Sequence, residues 1–265
     1  MRTFGVENIL PLVQHREIIK ESDIFFKTDK AKAIRAAILL IKYHRNQLEQ
    51  YIAQHPQFLK TLQPIRIEKD APEIVTVMAE AGEIARVGPM AAVAGALADL
   101  GVKKMIQLGA EVAVIENGGE ISGISNIPIN VGIFAGNSPL SGKVGFKFET
   151  EDFPIGLGTS SGTVGHAFSF GEADAATVLT NNAALGDAAA TAVANEVKGS
   201  DFEKSVQNGL EIAETIEGVR GALIIRGKFA GIVGKLPQLL RITGKSWKIL
   251  TQRYSNLLPP DFTIL

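Results

Sequence analysis

The chain contains no cysteine among its 265 residues. This absence excludes disulfide bonds, thiolate metal sites, iron–sulfur clusters and a cysteine nucleophile. An excess of charge of one sign is also missing, since 27 Lys and Arg residues face 28 Asp and Glu residues. Because a nearly neutral chain creates no broad positive field, we expect it to bind neither nucleic acid nor an anionic membrane surface.

Long hydrophobic runs are absent as well. The longest stretch with little charge, residues 87–101, is rich in Ala and Gly, and it is shorter than the roughly 20 apolar residues of a membrane-spanning helix. Residues 1–8 lack the basic start and apolar core of a secretory signal. We therefore expect a cytoplasmic globular protein without a membrane segment. Its hydrophobic content of 46% is sufficient for a substantial core.

Apolar spacing predicts helices on both sides of a region rich in short strands. Thr28 or Asp29 is positioned to cap a helix that runs to about residue 55, with isoleucines at near-helical spacing. Further helices are predicted over residues 72–81, 89–108, 183–197 and 202–216. Between them, short apolar runs separated by glycines predict strands over residues 112–115, 129–134, 144–148, 155–158, 167–170 and 177–180. Residues 221–225 and 229–233 predict a hairpin.

Because helices and strands are partly segregated, the pattern favours an α+β fold with a mainly antiparallel sheet. Neither a low-complexity linker nor a convincing repeat divides the sequence, so we expect residues 1–265 to form a single domain. After Gly218 the chain becomes basic, with no Asp or Glu before Pro260. A solvated edge is the favoured interpretation of this segment, and an anion-binding surface is the alternative.

Three familiar sequence motifs are either incomplete or lack the surrounding residues that their function requires. Residues 158–162 match the nucleophile pattern G-x-S-x-G around Ser160, yet the only downstream histidine, His166, follows six residues later, which does not suit a serine hydrolase. Residues 136–143 depart from the spacing of a phosphate-binding P-loop and lack its Ser or Thr. A dinucleotide-binding glycine fingerprint is also not present after a convincing strand.

Two glycine-bearing loops are candidates for binding phosphate through backbone N–H groups, because glycine permits close approach. The first contains Asn117, Gly118, Gly119 and Glu120, and the second contains Thr159, Ser160, Ser161, Gly162 and Thr163. Ordinary turns are the alternative interpretation of both. His166 follows the second loop as a candidate general base, with a structural histidine as the alternative.

Asp187 and Thr191 lie four residues apart on a predicted helix and therefore project from one face. A carboxylate and a hydroxyl offer the hard oxygen ligands that Mg²⁺ prefers. A purely structural explanation is also available, in which Asp187 caps the helix and the Thr191 hydroxyl bonds back to the preceding turn. Both explanations remain open on spacing alone.

The order of these motifs resembles the ApbE family of flavin transferases. The similar elements are a glycine-bearing turn at residues 87–90, the sequence N-G-G-E at residues 117–120, V-G-I at residues 131–133, T-S-S-G at residues 159–162, His166 and D-A-A-A-T-A at residues 187–192. The resemblance covers about residues 82 to 198. The whole chain resembles still more closely an uncharacterised ApbE-like family of archaea and bacteria.

This resemblance implies an ApbE-like α+β fold with an internal duplication, and binding of FAD or FMN together with Mg²⁺. By resemblance, Asp187 and Thr191 would hold the metal with a backbone carbonyl of the turn at residues 88–91. The implied reaction transfers FMN from FAD to a protein acceptor and releases AMP. A small phosphate-bearing ligand and a protein acceptor are the partners that the resemblance implies, and the sequence leaves open whether the chain forms a homo-oligomer.

Two departures from the ApbE pattern weaken the implied chemistry. A lysine of the glycine-bearing turn is replaced by Ala91–Ala92, which removes one fixed cation from the ligand. The H-x-x-D-P-x-T-G element is replaced by the sequence of residues 166–172, without the Asp-Pro turn. A magnesium-assisted enzyme and a binding protein without transferase activity are therefore both compatible with the sequence, as is a relative that shares only the fold.

Overall fold

The computed structural model describes residues 12–162 and 171–242, and the backbone of residues 263–264. Six α-helices lie within these ranges: α1 Ala31–Gln54, α2 Pro56–Lys60, α3 Glu73–Ala85, α4 Val93–Gln107, α5 Ala183–Glu196 and α6 Phe202–Thr215. Short 3-10 helices span Pro89–Ala92 and Thr150–Asp152. The strands are β1 Val13–Ile19, β2 Ser22–Thr28, β3 Ala113–Asn117, β4 Glu120–Ile124, β5 Ile129–Ile133, β6 Val144–Phe148, β7 Ile155–Ser160, β8 Ala175–Thr180, β9 Gly221–Arg226, β10 Phe229–Gly234, β11 Gln238–Arg241 and β12 Thr263–Ile264.

Two sheets and a layer of helices build the fold. Eight strands form one sheet in the order β1-β2-β3-β4-β7-β8-β9-β10, and four form the other in the order β12-β11-β6-β5. Neighbouring strands in the described part of both sheets pair antiparallel. The predictions of an α+β fold, a mainly antiparallel sheet and packed helices are therefore confirmed.

The two faces of the eight-stranded sheet are both buried. Because side chains alternate between the faces of a strand, Ile115 and Val178 pack with the helices, whereas Val114 and Leu179 pack with the four-stranded sheet. Burial on both faces explains why these strands appear in the sequence as continuous apolar runs without polar alternation.

Small residues allow α5 to lie directly on β7 and beside α4. A Cβ atom on Gly158 would lie only 2.1 Å from the carbonyl oxygen of Gly186, and one on Gly95 would lie 2.1 Å from that of Ala183. Because the contacting atoms belong to the backbone, a larger residue at Gly158 or Gly95 would push α5 away from β7 or α4. The Ala- and Gly-rich composition of α4 and α5 thus fixes the close approach of helix to helix and of helix to sheet.

Several sequence-based expectations need correction. Residues 13–28 form the hairpin β1–β2, and residues 120–124 form β4, although neither was predicted as strand. Thr28 and Asp29 do not cap α1, because its N-cap is Lys30. The Asp29 carboxylate instead accepts the backbone N–H groups of Glu111 and Val112 at 3.1 and 3.0 Å. The strand predicted over residues 167–170 lies outside the described residues.

The basic segment after Gly218 is less solvated than expected. The Arg226 side chain is buried, donates to the Ser205 hydroxyl at 2.7 Å and also bonds to the Glu172 carboxylate. Arg220 donates to the backbone carbonyl of Asp152 at 2.8 Å. These two cations link strands and loops inside the fold, which corrects the interpretation of the whole segment as a solvated edge.

Among the described residues, no single helix is long and apolar enough to cross a membrane. Residues 73–85 and 89–107 together have the length and apolar composition of a membrane-spanning helix. The chain bends by 105° between these two parts.

Candidate functional site

One end of the eight-stranded sheet brings together the two glycine-bearing loops. Strand β3 ends at Asn117 and β4 begins at Glu120, which is the residue paired with Asn117. Strand β7 pairs antiparallel with β4 through Leu157 and Ile121, so its last residue, Ser160, lies at the same end. Segments separated by about forty residues in the sequence therefore form one edge of the molecule.

The first loop is a tight turn between β3 and β4. Gly118 and Gly119 connect the two strands with φ angles of 71° and 122°, which side chains rarely adopt. The pair therefore serves the two-residue turn that joins antiparallel strands. Gly118 is exposed and Gly119 is buried.

The N-terminus of α4 is fixed between Asn117 and Asp187. The Asn117 side-chain amide donates to the Ala94 carbonyl oxygen at 3.0 Å. The Asp187 Oδ2 atom accepts the Gly95 backbone N–H at 3.0 Å. Because the first N–H groups of a helix have no partner within the helix, a carboxylate at this position stabilises α4. The amide of Asn117, predicted to grip a ligand, is thus engaged by backbone.

Glu120 and Asp187 are neighbouring carboxyl groups, of which Glu120 is buried and Asp187 is partly buried. Burial, followed by the negative charges of Asp187 and Glu116, raises the pKa of Glu120 well above its usual range. Burial also raises the pKa of Asp187 to about 7, against the opposing effect of the N–H groups of Gly95 and Ala94. Among the ion pairs of the described residues, none involves either carboxylate. A cation would stabilise the ionised forms of both groups.

The second loop follows the end of β7. The Thr159 hydroxyl lies 3.2 Å from that of Thr177 on the neighbouring strand, so it already has a partner. Ser160 is buried, Ser161 is partly buried, and the exposed Gly162 donates its N–H to the Ala173 carbonyl at 2.9 Å. The predicted residues Thr163 and His166 lie outside the described residues.

Thr191 lies one turn beyond Asp187 on α5 and is partly buried. Within residues 12–162 and 171–242, no three His, Asp or Glu side chains form a group that could hold a metal ion. The predicted metal set differs from such a group, because it combines one carboxylate with a hydroxyl and a backbone carbonyl. That set therefore stays a prediction.

Asp99 is a polar residue of this region that the sequence reasoning missed. Its Oδ1 and Oδ2 atoms accept the backbone N–H groups of Ala183 and Ala184, each at 2.8 Å, so it caps α5 together with Asn182. Burial raises the pKa of Asp99, while the Ser122 hydroxyl and these N–H groups oppose that effect. A lone aspartate in the apolar stretch of residues 87–101 was the available signal, since a buried charge requires partners.

Comparison with known families gives a match over most of the chain. A family model described as AbpE bacteria matches residues 13–217. A UPF0280 protein of Methanococcus vannielii is 43% identical over 238 residues, which cover 89% of this chain and 96% of the relative. A UPF0280 protein of Methanocaldococcus jannaschii is 44% identical over 228 residues, covering 85% and 92% of the two chains.

Solved structures of flavin transferases share the fold. The flavin transferase ApbE from Vibrio cholerae superposes with a TM-score of 0.55 at 13% identity, covering 86% of this chain and 97% of that one. The apo form of the flavinyl transferase ApbE from Pseudomonas stutzeri gives a TM-score of 0.52 at 12% identity, with coverages of 84% and 94%. At such identities the likeness concerns the fold alone.

Proposed function

This chain belongs to the AbpE bacteria family, and from that membership we propose that it binds FAD, FMN or a related phosphate-bearing cofactor with Mg²⁺. The binding site is the sheet end where the loops at residues 117–120 and 159–162 meet the N-terminus of α4. The observation that carries the proposal is the neighbouring pair of the buried Glu120 and the partly buried Asp187, with Asp187 at the N-terminus of α4.

The donor set suits a hard divalent cation. Carboxylate and hydroxyl oxygens are the ligands that Mg²⁺ prefers, and it usually takes one or two carboxylates together with phosphate oxygens of the substrate. Asp187 and Thr191 would hold the ion, and Glu120 would face the same enclosed space. When bound, Mg²⁺ supplies positive charge that stabilises the developing negative charge on a pyrophosphate.

The chain's own residues would orient the ligand. Asn117 fixes the first turn of α4 through the Ala94 carbonyl, and Asp187 accepts the Gly95 N–H of the same turn, so this helix end is held in place at the site. An ordered helix N-terminus is a favourable environment for phosphate. Ser160 at the end of β7 offers a hydroxyl group to the same ligand. His166 stays a prediction as the group that takes the proton from an acceptor.

The proposed reaction is transfer of FMN from FAD to a hydroxyl group of an acceptor protein. The acceptor oxygen forms a bond to the FMN phosphorus, the pyrophosphate bond breaks, and AMP leaves. A second candidate function is binding without transfer. The observation that favours it is the apolar pair Ala91–Ala92 in the turn before α4, where no side chain can add positive charge to the phosphates.

The experiment that tests the enzyme is an assay of AMP release from FAD with Mg²⁺ and threonine-bearing acceptor peptides. The expected result is Mg²⁺-dependent AMP release that Asp187→Asn abolishes and that Asp70→Asn, the same change at an exposed position, preserves. Saturable FAD binding without AMP release would support the binding protein instead. Absence of flavin binding with and without Mg²⁺ would contradict both functions.

A further inference from the structure

A surface pocket of about 340 Å³ lies between α4, β4 and the start of β7. Its wall is mainly apolar and includes Val102, Ile106, Ile124 and Ile155, while Lys103 and Ser122 are among its polar lining residues. We name it the α4–β4 hollow. The described residues among those predicted for the flavin site do not line it. Its size falls at the lower end of the range of small-molecule sites, about 300–1,000 Å³.

Two charged residues, Asp99 and Lys103, line the described part of the α4–β4 hollow, and they differ in their capacity to bind a ligand. Asp99 borders it, but both oxygens of this carboxylate already accept backbone N–H groups of α5 at 2.8 Å. The Ser122 hydroxyl also bonds to Asp99. The helix N-terminus therefore offsets part of the charge of Asp99, and with its hydrogen bonds to Ala183, Ala184 and Ser122 this carboxylate has little capacity left for a cationic ligand.

Lys103 is the cation among the described residues that line the hollow. Its ion pair with Glu73 can be replaced by an ion pair with a ligand. Its ammonium group lies 2.7 Å from the Glu73 carboxylate, and the side chains are 61% and 50% exposed. An ion pair this exposed contributes little to stability, because water competes for both charges. A ligand carboxylate at the mouth of the hollow would therefore compete with Glu73 for Lys103 at small cost.

We propose that the α4–β4 hollow is a binding site for a small carboxylate with an apolar body. The hydrocarbon part lies against the isoleucine and valine wall, and the carboxylate binds the Lys103 ammonium group. Burial of hydrocarbon supplies most of the affinity, and the charge-assisted hydrogen bond selects an anion over a cation. This site is separate from the proposed flavin site and does not depend on it.

Hexanoate and hexylamine test this proposal, since they share a chain length and differ in charge. Calorimetric titration of the full chain is expected to show saturable binding of hexanoate and weaker binding of hexylamine. Lys103→Met is expected to weaken hexanoate binding by about tenfold through loss of a charge-assisted bond. Lys104→Met removes the neighbouring charge, which does not line the hollow, and should leave the affinity unchanged.

Two more variants separate this site from adventitious binding elsewhere. Glu73→Gln releases Lys103 from its ion pair and should tighten hexanoate binding, whereas Ile124→Trp should block binding by filling the hollow. Equal weakening by Lys103→Met and Lys104→Met would overturn the proposal. Equal affinity for hexanoate and hexylamine, or unchanged affinity in Ile124→Trp, would overturn it as well. Unaltered near-ultraviolet circular dichroism shows that each variant is folded.

Discussion

Asp99 and Asp187 lie at the same contact between α4 and α5, and both carboxyl groups accept backbone N–H groups of the opposite helix. Asp99 uses both oxygens on α5 and has the Ser122 hydroxyl as a further partner. Asp187 accepts from α4, but its charge adds to the burial that raises the pKa of Glu120, and the charge of Asp99 adds to the burial that raises the pKa of Asp187. The first arrangement stabilises the fold, whereas the second costs stability unless a cation is present, as expected of a binding site.

The largest expected effect is the loss of stability in Asp99→Ala. The substitution leaves the N–H groups of Ala183 and Ala184 buried without an acceptor, at a cost of about 3 kcal/mol for the two together. Chemical denaturation at pH 8 measures the change in the free energy of unfolding. One buried N–H group without an acceptor costs at least about 1 kcal/mol. A smaller loss of unfolding free energy in Asp99→Ala would therefore mean that Asp99 does not stabilise the fold through these bonds.

Asp187→Asn is expected to separate binding from stability. The amide retains an oxygen acceptor for Gly95 and removes one of two repelling carboxylates, so the free energy of unfolding at pH 8 should not fall. Mg²⁺-dependent FAD binding should weaken by about 100-fold, because a charged metal ligand is lost. Equal FAD affinity in wild type and variant, measured by calorimetry, would remove Asp187 from the site.

The pH dependence of stability gives a third test. The folded-state pKa of Asp187, about 7, lies above its ordinary value of 3.8. Its protonation therefore favours the folded state, and this stabilisation is complete below pH 3.8 and lost as the pH rises through 7. Relative to Asp187→Asn, the wild type should lose up to about 1.4 kcal/mol per pH unit in this window.

Mg²⁺ should reduce this slope, because it stabilises the ionised carboxylates. Urea denaturation at intervals of pH, with and without Mg²⁺, measures both curves. A wild-type curve parallel to that of Asp187→Asn would contradict a raised pKa at this position.

The smallest expected effect belongs to Thr191→Val, which preserves shape and removes one neutral oxygen. Mg²⁺-dependent FAD binding is expected to weaken by about fivefold, less than in Asp187→Asn because a hydroxyl contributes no net charge. The free energy of unfolding should change little. A loss of affinity as large as that of Asp187→Asn, determined by the same titration, would contradict the ranking of the two ligands.

The sequence predicted the helices α1 and α6 well because their apolar periodicity is strong, and α5 through its Ala-rich composition. It predicted most of the buried strands but missed β4. The hairpin β1–β2 was missed since its outer strand is largely exposed and carries mixed charges. The sequence alone was sufficient to predict that Asp187 and Thr191 project from one face of a helix. Glu120 could be placed in a loop, but its pairing with Asp187 depends on long-range packing of α5 against β4 and β7.

The role of Asp99 was hidden for the same reason. Its partners on α5 lie about 84 residues later in the sequence, and no local pattern connects them. The Asn117 amide is a second example, because a residue predicted to bind a ligand uses its side chain to hold α4. Tertiary contacts thus decided which polar groups remain available to a ligand.

The most direct test of the Glu120–Asp187 site is calorimetry of FAD and Mg²⁺ binding at pH 6.5 in buffers of different ionisation enthalpy. Carboxyl groups with raised pKa values must lose protons when a cation binds, so we expect Mg²⁺-dependent FAD binding with proton release. Asp187→Asn should lose most of this release. Binding without proton release, or identical release in the variant, would contradict the account.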